Sequence, residues 1–175
     1  MTESVSLKPS ITDLIMLDYP MEAKASPDGS KVAYSVRTTN WGSNRYENLL
    51  YVYFKEVCEA RQLTRGGSVQ SFEWIGNDDI LAQRLVDDKA QLYLYEGLIG
   101  EPIQLTWIET GVDSFKPVKG GVMFQAKQPE RNKRKQLRNQ YGNVTHFEEE
   151  EPVSALYYTC FAEVRKHQAL KKQLT

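Results

Sequence analysis

Leu50-Tyr51-Val52-Tyr53-Phe54-Lys55-Glu56-Val57-Cys58-Glu59-Ala60-Arg61-Gln62-Leu63-Thr64 is the stretch on which the fold turns. A run of strand-forming aromatic and aliphatic residues, a short charged turn and a closing Gln-Leu-Thr read as two antiparallel strands. The pattern returns. Leu92-Tyr93-Leu94-Tyr95 comes 42 residues after the first Leu-Tyr run, and Gln104-Leu105-Thr106 comes 42 residues after the first Gln-Leu-Thr. A third pair follows, Leu156-Tyr157-Tyr158 and Gln173-Leu174-Thr175.

Ahead of each Leu-Tyr run lies another short apolar run after a Gly or Asp turn: Lys31-Val32-Ala33-Tyr34, Asp79-Ile80-Leu81-Ala82 and Gly121-Val122-Met123-Phe124. Before these come the lead-in segments Ala25 to Gly29, Phe72 to Gly76 and Phe115 to Gly120. Asp28-Gly29 and Asp87-Asp88 are the clearest turn signals. Four short strands per unit at this period match the blade of a propeller, whereas helical repeats need long i, i+3, i+4 stripes. An ordinary β-sandwich is the competing fold, and it leaves the ordered recurrence of three markers to coincidence. The expected fold is all-β: three four-stranded antiparallel blades of an incomplete β-propeller, with one short N-terminal helix. The blades are expected at about 22–66, about 67–109 and about 110–175, the last with a charged insertion at 129–151. The helix is expected over Ser10 to Asp18, with Ile11, Leu14, Ile15 and Leu17 apolar and Ser10 or Thr12 as cap.

At 175 residues, 41% hydrophobic and 26% charged, the chain suits one or two soluble globular domains. The longest apolar run, Leu49 to Phe54, is far short of the about 20 residues of a membrane helix. No basic start precedes an apolar run at the N-terminus, so no secretion signal is expected. A net charge of -1 supplies no field to steer nucleic acid. Two cysteines, Cys58 and Cys160, are too few for a disulfide framework or structural zinc, which suits a reduced cytoplasmic setting.

Asp13-Leu14, then Ala25-Ser26-Pro27-Asp28-Gly29-Ser30-Lys31-Val32-Ala33-Tyr34, resembles the opening of the prolyl oligopeptidase (S9) family of serine peptidases, most of all its acylaminoacyl-peptidase branch. The Leu-Tyr-Val-Tyr run closing on Arg61-Gln62-Leu63-Thr64 is similar to the WD40-like repeat of those propellers and of TolB-type proteins. The charged insertion before the third Leu-Tyr run is what favours the acylaminoacyl branch. Ser-Pro-Asp-Gly occurs once; Trp74-Ile75-Gly76-Asn77 and Pro117-Val118-Lys119-Gly120 stand in its place in the other units.

The resemblance implies a parent protein whose Ser-Asp-His triad lies on a C-terminal α/β-hydrolase domain, with the propeller gating access of peptide substrates. That domain is absent from this chain. No Gly-x-Ser-x-Gly elbow occurs; Gly66-Gly67-Ser68-Val69-Gln70 lacks the trailing glycine and any helix pattern. His146 and His167 lie in polar, charged surroundings and read as surface histidines. The chain is expected to be a non-catalytic N-terminal propeller fragment, with no catalytic, cofactor-binding or metal residue and no cofactor. The alternative is a free-standing TolB/WD40-like protein-interaction module. Expected partners are the hydrolase domain and peptides of the parent, with self-association of the fragment as a homodimer through its open blade faces, and neither nucleic acid nor membrane.

The remaining candidates read as structural. Glu130 to Arg138 is basic and Glu148 to Glu151 acidic, so the two suit one solvated loop whose charges attract. No aromatic interleaves the basic run to stack on bases. Tyr51, Tyr53, Tyr93, Tyr95, Tyr157 and Tyr158 alternate along strands, so half are expected between blades rather than on a sugar-stacking platform. Trp41 is expected exposed in a loop over Thr38 to Asn48 and Trp74 packed at a strand end, while Cys58 and Cys160 read as small strand residues.

Overall fold

The computed structural model describes residues 8–66, 68–129 and 153–166. The chain is all-β, with three antiparallel sheets and two short helical segments. In the first sheet β1 (Tyr19–Ala25), β2 (Lys31–Asn40), β3 (Arg45–Phe54) and β4 (Glu59–Gln62) lie side by side in chain order. The second repeats this meander with β5 (Ser68–Ile75), β6 (Asp79–Val86), β7 (Lys89–Tyr95) and β8 (Ile103–Gln104). The third has β9 (Ser114–Val118), β10 (Gly121–Lys127) and β11 (Ser154–Cys160), in the order β11-β10-β9.

Tight turns make the meanders possible. Gly29 closes the β1–β2 turn at φ +69, a conformation that favours a residue without Cβ. Asp87 and Asp88 join β6 to β7 with φ 50 and 60, the two successive left-handed residues of a hairpin whose twist matches its strands. Ser26, buried in the first turn, receives the Lys31 amide on its hydroxyl and donates to Asp28 at 2.6 Å.

The sheets are held by two cores. Ala33, Leu50 and Val52 of the first sheet meet Val69, Phe72, Ile80, Ala82 and Tyr95 of the second. Leu81, Leu92 and Leu94 on the opposite face of the second sheet meet Val122, Phe124 and Ala126 of the third. The second sheet is therefore apolar on both faces, as the near-continuous Ile80-Leu81-Ala82 run demands. Trp74 is half-buried and donates Nε1 to the Lys24 carbonyl at 2.9 Å, tying β5 to β1.

Several expectations need correction. The third sheet has three strands among the described residues; Gln173-Leu174-Thr175, expected to supply its fourth, lies outside them. So do His146, His167, Glu130 to Arg138, Glu148 to Glu151 and, apart from Pro129, the insertion. After β11 the chain turns helical from residue 161 to 166, a second helix the repeat pattern did not signal. Phe161 there is buried against the core shared by the second and third sheets. Between Leu-Tyr run and Gln-Leu-Thr the third unit is five residues longer than the others, enough for this helical segment.

The N-terminal helix is shorter than expected, Ile11–Ile15. Ser10 caps it and exchanges hydrogen bonds with Asp13 in a capping box. None of its residues is buried. The Thr38 to Asn48 segment is not a loop, because β2 and β3 pair out to Asn40↔Arg45 and leave a four-residue turn with Trp41 exposed. Cys58 is not a strand residue but sits exposed in the β3–β4 turn at φ 52, whereas Cys160 does end β11.

Candidate functional site

The recurring Gln-Leu-Thr is a hydrogen-bonding device. Thr64 is fully buried, and its hydroxyl accepts the Leu50 amide at 2.9 Å; Thr106 does the same for Leu92 at 2.9 Å. The Leu63 and Leu105 amides donate to the carbonyls of Leu50 and Leu92, both at 2.8 Å. Gln62 and Gln104 reach round to the Thr64 and Thr106 carbonyls at 2.6 and 2.8 Å. Each triplet thus satisfies the backbone of the leucine opening the neighbouring Leu-Tyr run, and a buried backbone group left unpaired is costly.

That leucine marks the face of the sheet that meets its successor. The strand registers are equivalent: Ser35↔Leu50 in the first sheet, Gln83↔Leu92 in the second, Gln125↔Leu156 in the third. The next pair along is Ala33↔Val52, Leu81↔Leu94 and Met123↔Tyr158. The tyrosines between them point the other way; Tyr93 and Tyr157 pack backward onto the preceding sheet. Alternation along the strand therefore sorts leucine forward and tyrosine back, except for Tyr158, which takes the forward position of Val52 and Leu94; Tyr93, Tyr95 and Tyr157, half of the six, lie between sheets as expected.

Burial differs sharply along this series. Leu50 and Leu92 are 0% exposed, whereas Leu156 is 66% exposed; Val52 and Leu94 are 1% exposed, whereas Tyr158 is 55% exposed. Gln83 shows what polar groups do at such a junction. It is buried and donates Nε2 to the Val112 carbonyl at 2.6 Å, bridging from the second sheet to the segment that leads into the third. Gln125, at the matching register position, is exposed.

The junctions also carry charge. Lys24 of β1 donates to the Phe72 carbonyl at 2.7 Å, pairs with Glu73 at 3.1 Å and Glu22 at 2.9 Å, and lies over the Phe72 ring. Burial opposes its charge, but the two carboxylates outweigh it and raise the Lys24 pKa. Arg165 pairs with Glu96, joining the second helical segment to the second sheet.

Ser68 opens a strand rather than a strand-to-helix elbow, and its hydroxyl accepts the Asn48 amide at 3.1 Å. Cys58 and Cys160 are free thiols. Among the described residues no group of three His, Cys, Asp or Glu could hold a metal, and no helix is long and apolar enough to cross a membrane. The outward face of the third sheet, Met123, Gln125, Leu156 and Tyr158, was not legible as a unit from the sequence. Its available signal was the Gln83/Gln125 match at the same position of successive repeats.

No protein-family model matches the chain, and no curated protein matches it in sequence. Solved structures do match in fold. The AtxE2 isopeptidase superposes with a TM-score of 0.63 at 12% identity, over 83% of this chain and 29% of its own. The acylaminoacyl peptidase of Pyrococcus horikoshii superposes with a TM-score of 0.63 at 12% identity, over 86% of this chain and 24% of its own. The chain therefore spans less than a third of the length of these structures.

Proposed function

We propose that this chain is the N-terminal, non-catalytic part of a β-propeller in a serine peptidase of the prolyl oligopeptidase type. Its three sheets are then successive blades, at about 22–66, about 67–109 and about 110–175. The propeller's role in the parent is to admit short or extended peptides to a hydrolase domain and to exclude folded proteins. The observation that carries the reading is the outward face of the third sheet. Met123, Gln125, Leu156 and Tyr158 repeat, at the same register, the positions that the second sheet buries against the third. The occupant that fits this face is a fourth antiparallel sheet of the same kind, because the two existing junctions are built that way. The fold shared with one isopeptidase and one acylaminoacyl peptidase supports the peptidase setting.

Two measurements test it. A fluorophosphonate serine probe is expected to label no residue of this chain, since the sequence holds no Gly-x-Ser-x-Gly elbow to expose and activate a serine; stoichiometric labelling would overturn the non-catalytic reading. The reading frame downstream of Thr175 in the source genome is expected to encode further repeats and a Gly-x-Ser-x-Gly hydrolase domain. A frame without them favours the free-standing interaction module.

A further inference from the structure

Both junctions inside the chain join the forward face of one sheet to the back of the next. Two faces are left with no sheet opposite among the described residues, the back of the first sheet and the outward face of the third. They are the two halves of one junction. In the first sheet Val32↔Tyr53 and Tyr34↔Tyr51 hold the register of Ile80↔Tyr95 and Ala82↔Tyr93 in the second; Tyr34↔Tyr51 also matches Phe124↔Tyr157 in the third. Those residues of the second and third sheets pack against the sheet before them. In the first sheet the four are only half-buried, with Tyr34 and Tyr51 stacked at 5.5 Å. The N-terminal helix does not seal this face, since none of its residues is buried.

Charge selects which face meets which. Strand alternation puts Lys116, opposite Met123, and Lys127, two residues beyond Gln125, on the outward face of the third sheet. Both are exposed and in no ion pair among the described residues. No acid shares that face in β9, β10 or β11, so two outward faces brought together would set four lysines against one another. The back of the first sheet is acidic instead. Glu47, opposite Thr38, lies on the Leu49 and Tyr51 side of its strand. Asp18 stands close enough to Tyr51 to add to the effect of burial in raising its hydroxyl pKa. Arg45, the base on that side, is already paired with Asp88 of the second sheet at 3.1 Å.

Closure sets the number of copies. A contact between unlike faces gives a ring when the rotation closes and an open chain when it does not. Propellers hold about four to eight sheets. Two copies of this chain supply six and three copies nine, so only two fit. We propose that two copies close on each other, the outward face of the third sheet against the back of the first, into a two-fold ring of six sheets. The inference rests on reading the sheets as blades and not on the peptidase setting. In a parent chain adjoining blades would hold these two faces; the 175-residue chain satisfies them with a second copy.

The test is sedimentation equilibrium of the full chain up to about 1 mM, where even a micromolar contact is filled. The expected mass is twice 20.1 kDa and no larger. Leu156→Glu spoils the outward face and Tyr51→Glu the back face, so each variant alone is expected to be monomeric. An equimolar mixture of the two is expected to dimerise, because each brings the face the other lacks. Circular dichroism melts check that both variants fold. If Tyr51→Glu does not, Asp18→Lys at an exposed position takes its place and is expected to weaken pairing severalfold. A mass that climbs past the dimer overturns the closed ring. Dimers of folded Tyr51→Glu, or undiminished pairing in Asp18→Lys, overturn the front-to-back contact, as does a mixture that stays monomeric. A folded wild-type chain at 20.1 kDa throughout overturns the pairing and leaves the blade assignment standing, since that rests on the two junctions within one chain.

Discussion

The second and third sheets carry the same forward-facing pair of positions, and only one of them is covered. Leu92 and Leu94 lie inside a core with Val122, Phe124 and Ala126, while Leu156 and Tyr158 face outward. The strands are alike in register and side-chain class, so burial at these positions is decided by what stands opposite. Hydrophobicity alone does not place a residue in a core; a second surface must arrive to exclude water.

The largest expected effect sharpens this contrast. Leu92→Ala should destabilise the chain by about 2–5 kcal/mol in urea unfolding, whereas Leu156→Ala should fall within about 0.5 kcal/mol. Equal costs would mean that Leu156 is covered in solution and would break the comparison. Next comes the backbone anchor. Thr106→Val keeps the shape but leaves the buried Leu92 amide without its acceptor, an expected loss of about 1–3 kcal/mol, and Thr64→Val should match it at Leu50. The same change at Thr175 asks whether the third triplet anchors Leu156; a similar loss would extend the device to the third unit.

A smaller effect concerns association. The outward face of the third sheet should make the isolated chain self-associate, and Leu156→Glu with Tyr158→Glu should return it to a species near 20.1 kDa in sedimentation equilibrium. A wild-type mass that stays at 20.1 kDa over a hundredfold concentration range would count against the exposed face as a contact.

The smallest effect lies in the first sheet. Hydrogen bonds from Ser26 and Ser30 lower the Asp28 pKa from 3.8 to about 2, with the Lys31 charge helping. A carboxylate with a depressed folded pKa contributes stability above its unfolded value and loses it as pH falls through the folded one. Acid titration of unfolding should therefore show a loss between about pH 4 and pH 2 that disappears in Asp28→Asn.

Much of the architecture was legible because strand repeats are local. Leu-Tyr runs, Asp-Gly and Asp-Asp turns and Gln-Leu-Thr closures each act within a dozen or so residues, and hairpins form from neighbours in sequence. The long β2–β3 hairpin was missed because Asn40 to Arg45 is polar and reads as loop, yet Asn40 and Glu47 pair side chains across it. The helical segment at 161–166 was missed because six residues hold too little periodicity to show, and its anchor, Phe161, packs against a core made elsewhere.

By itself the sequence determined the all-β class, the order of strands within each meander and the triplet that closes the first two, since these rest on short-range patterning and turn chemistry. Tertiary structure alone decided which face of each strand is buried and which polar atoms lose water. Leu92 and Leu156 each open a Leu-Tyr run at the same register position, and the presence or absence of an opposing sheet among the described residues goes with 0% against 66% exposure. Lys24 and Glu73 come to pair only once two sheets have packed, because burial and electrostatic environment are properties of that junction and not of any stretch of chain.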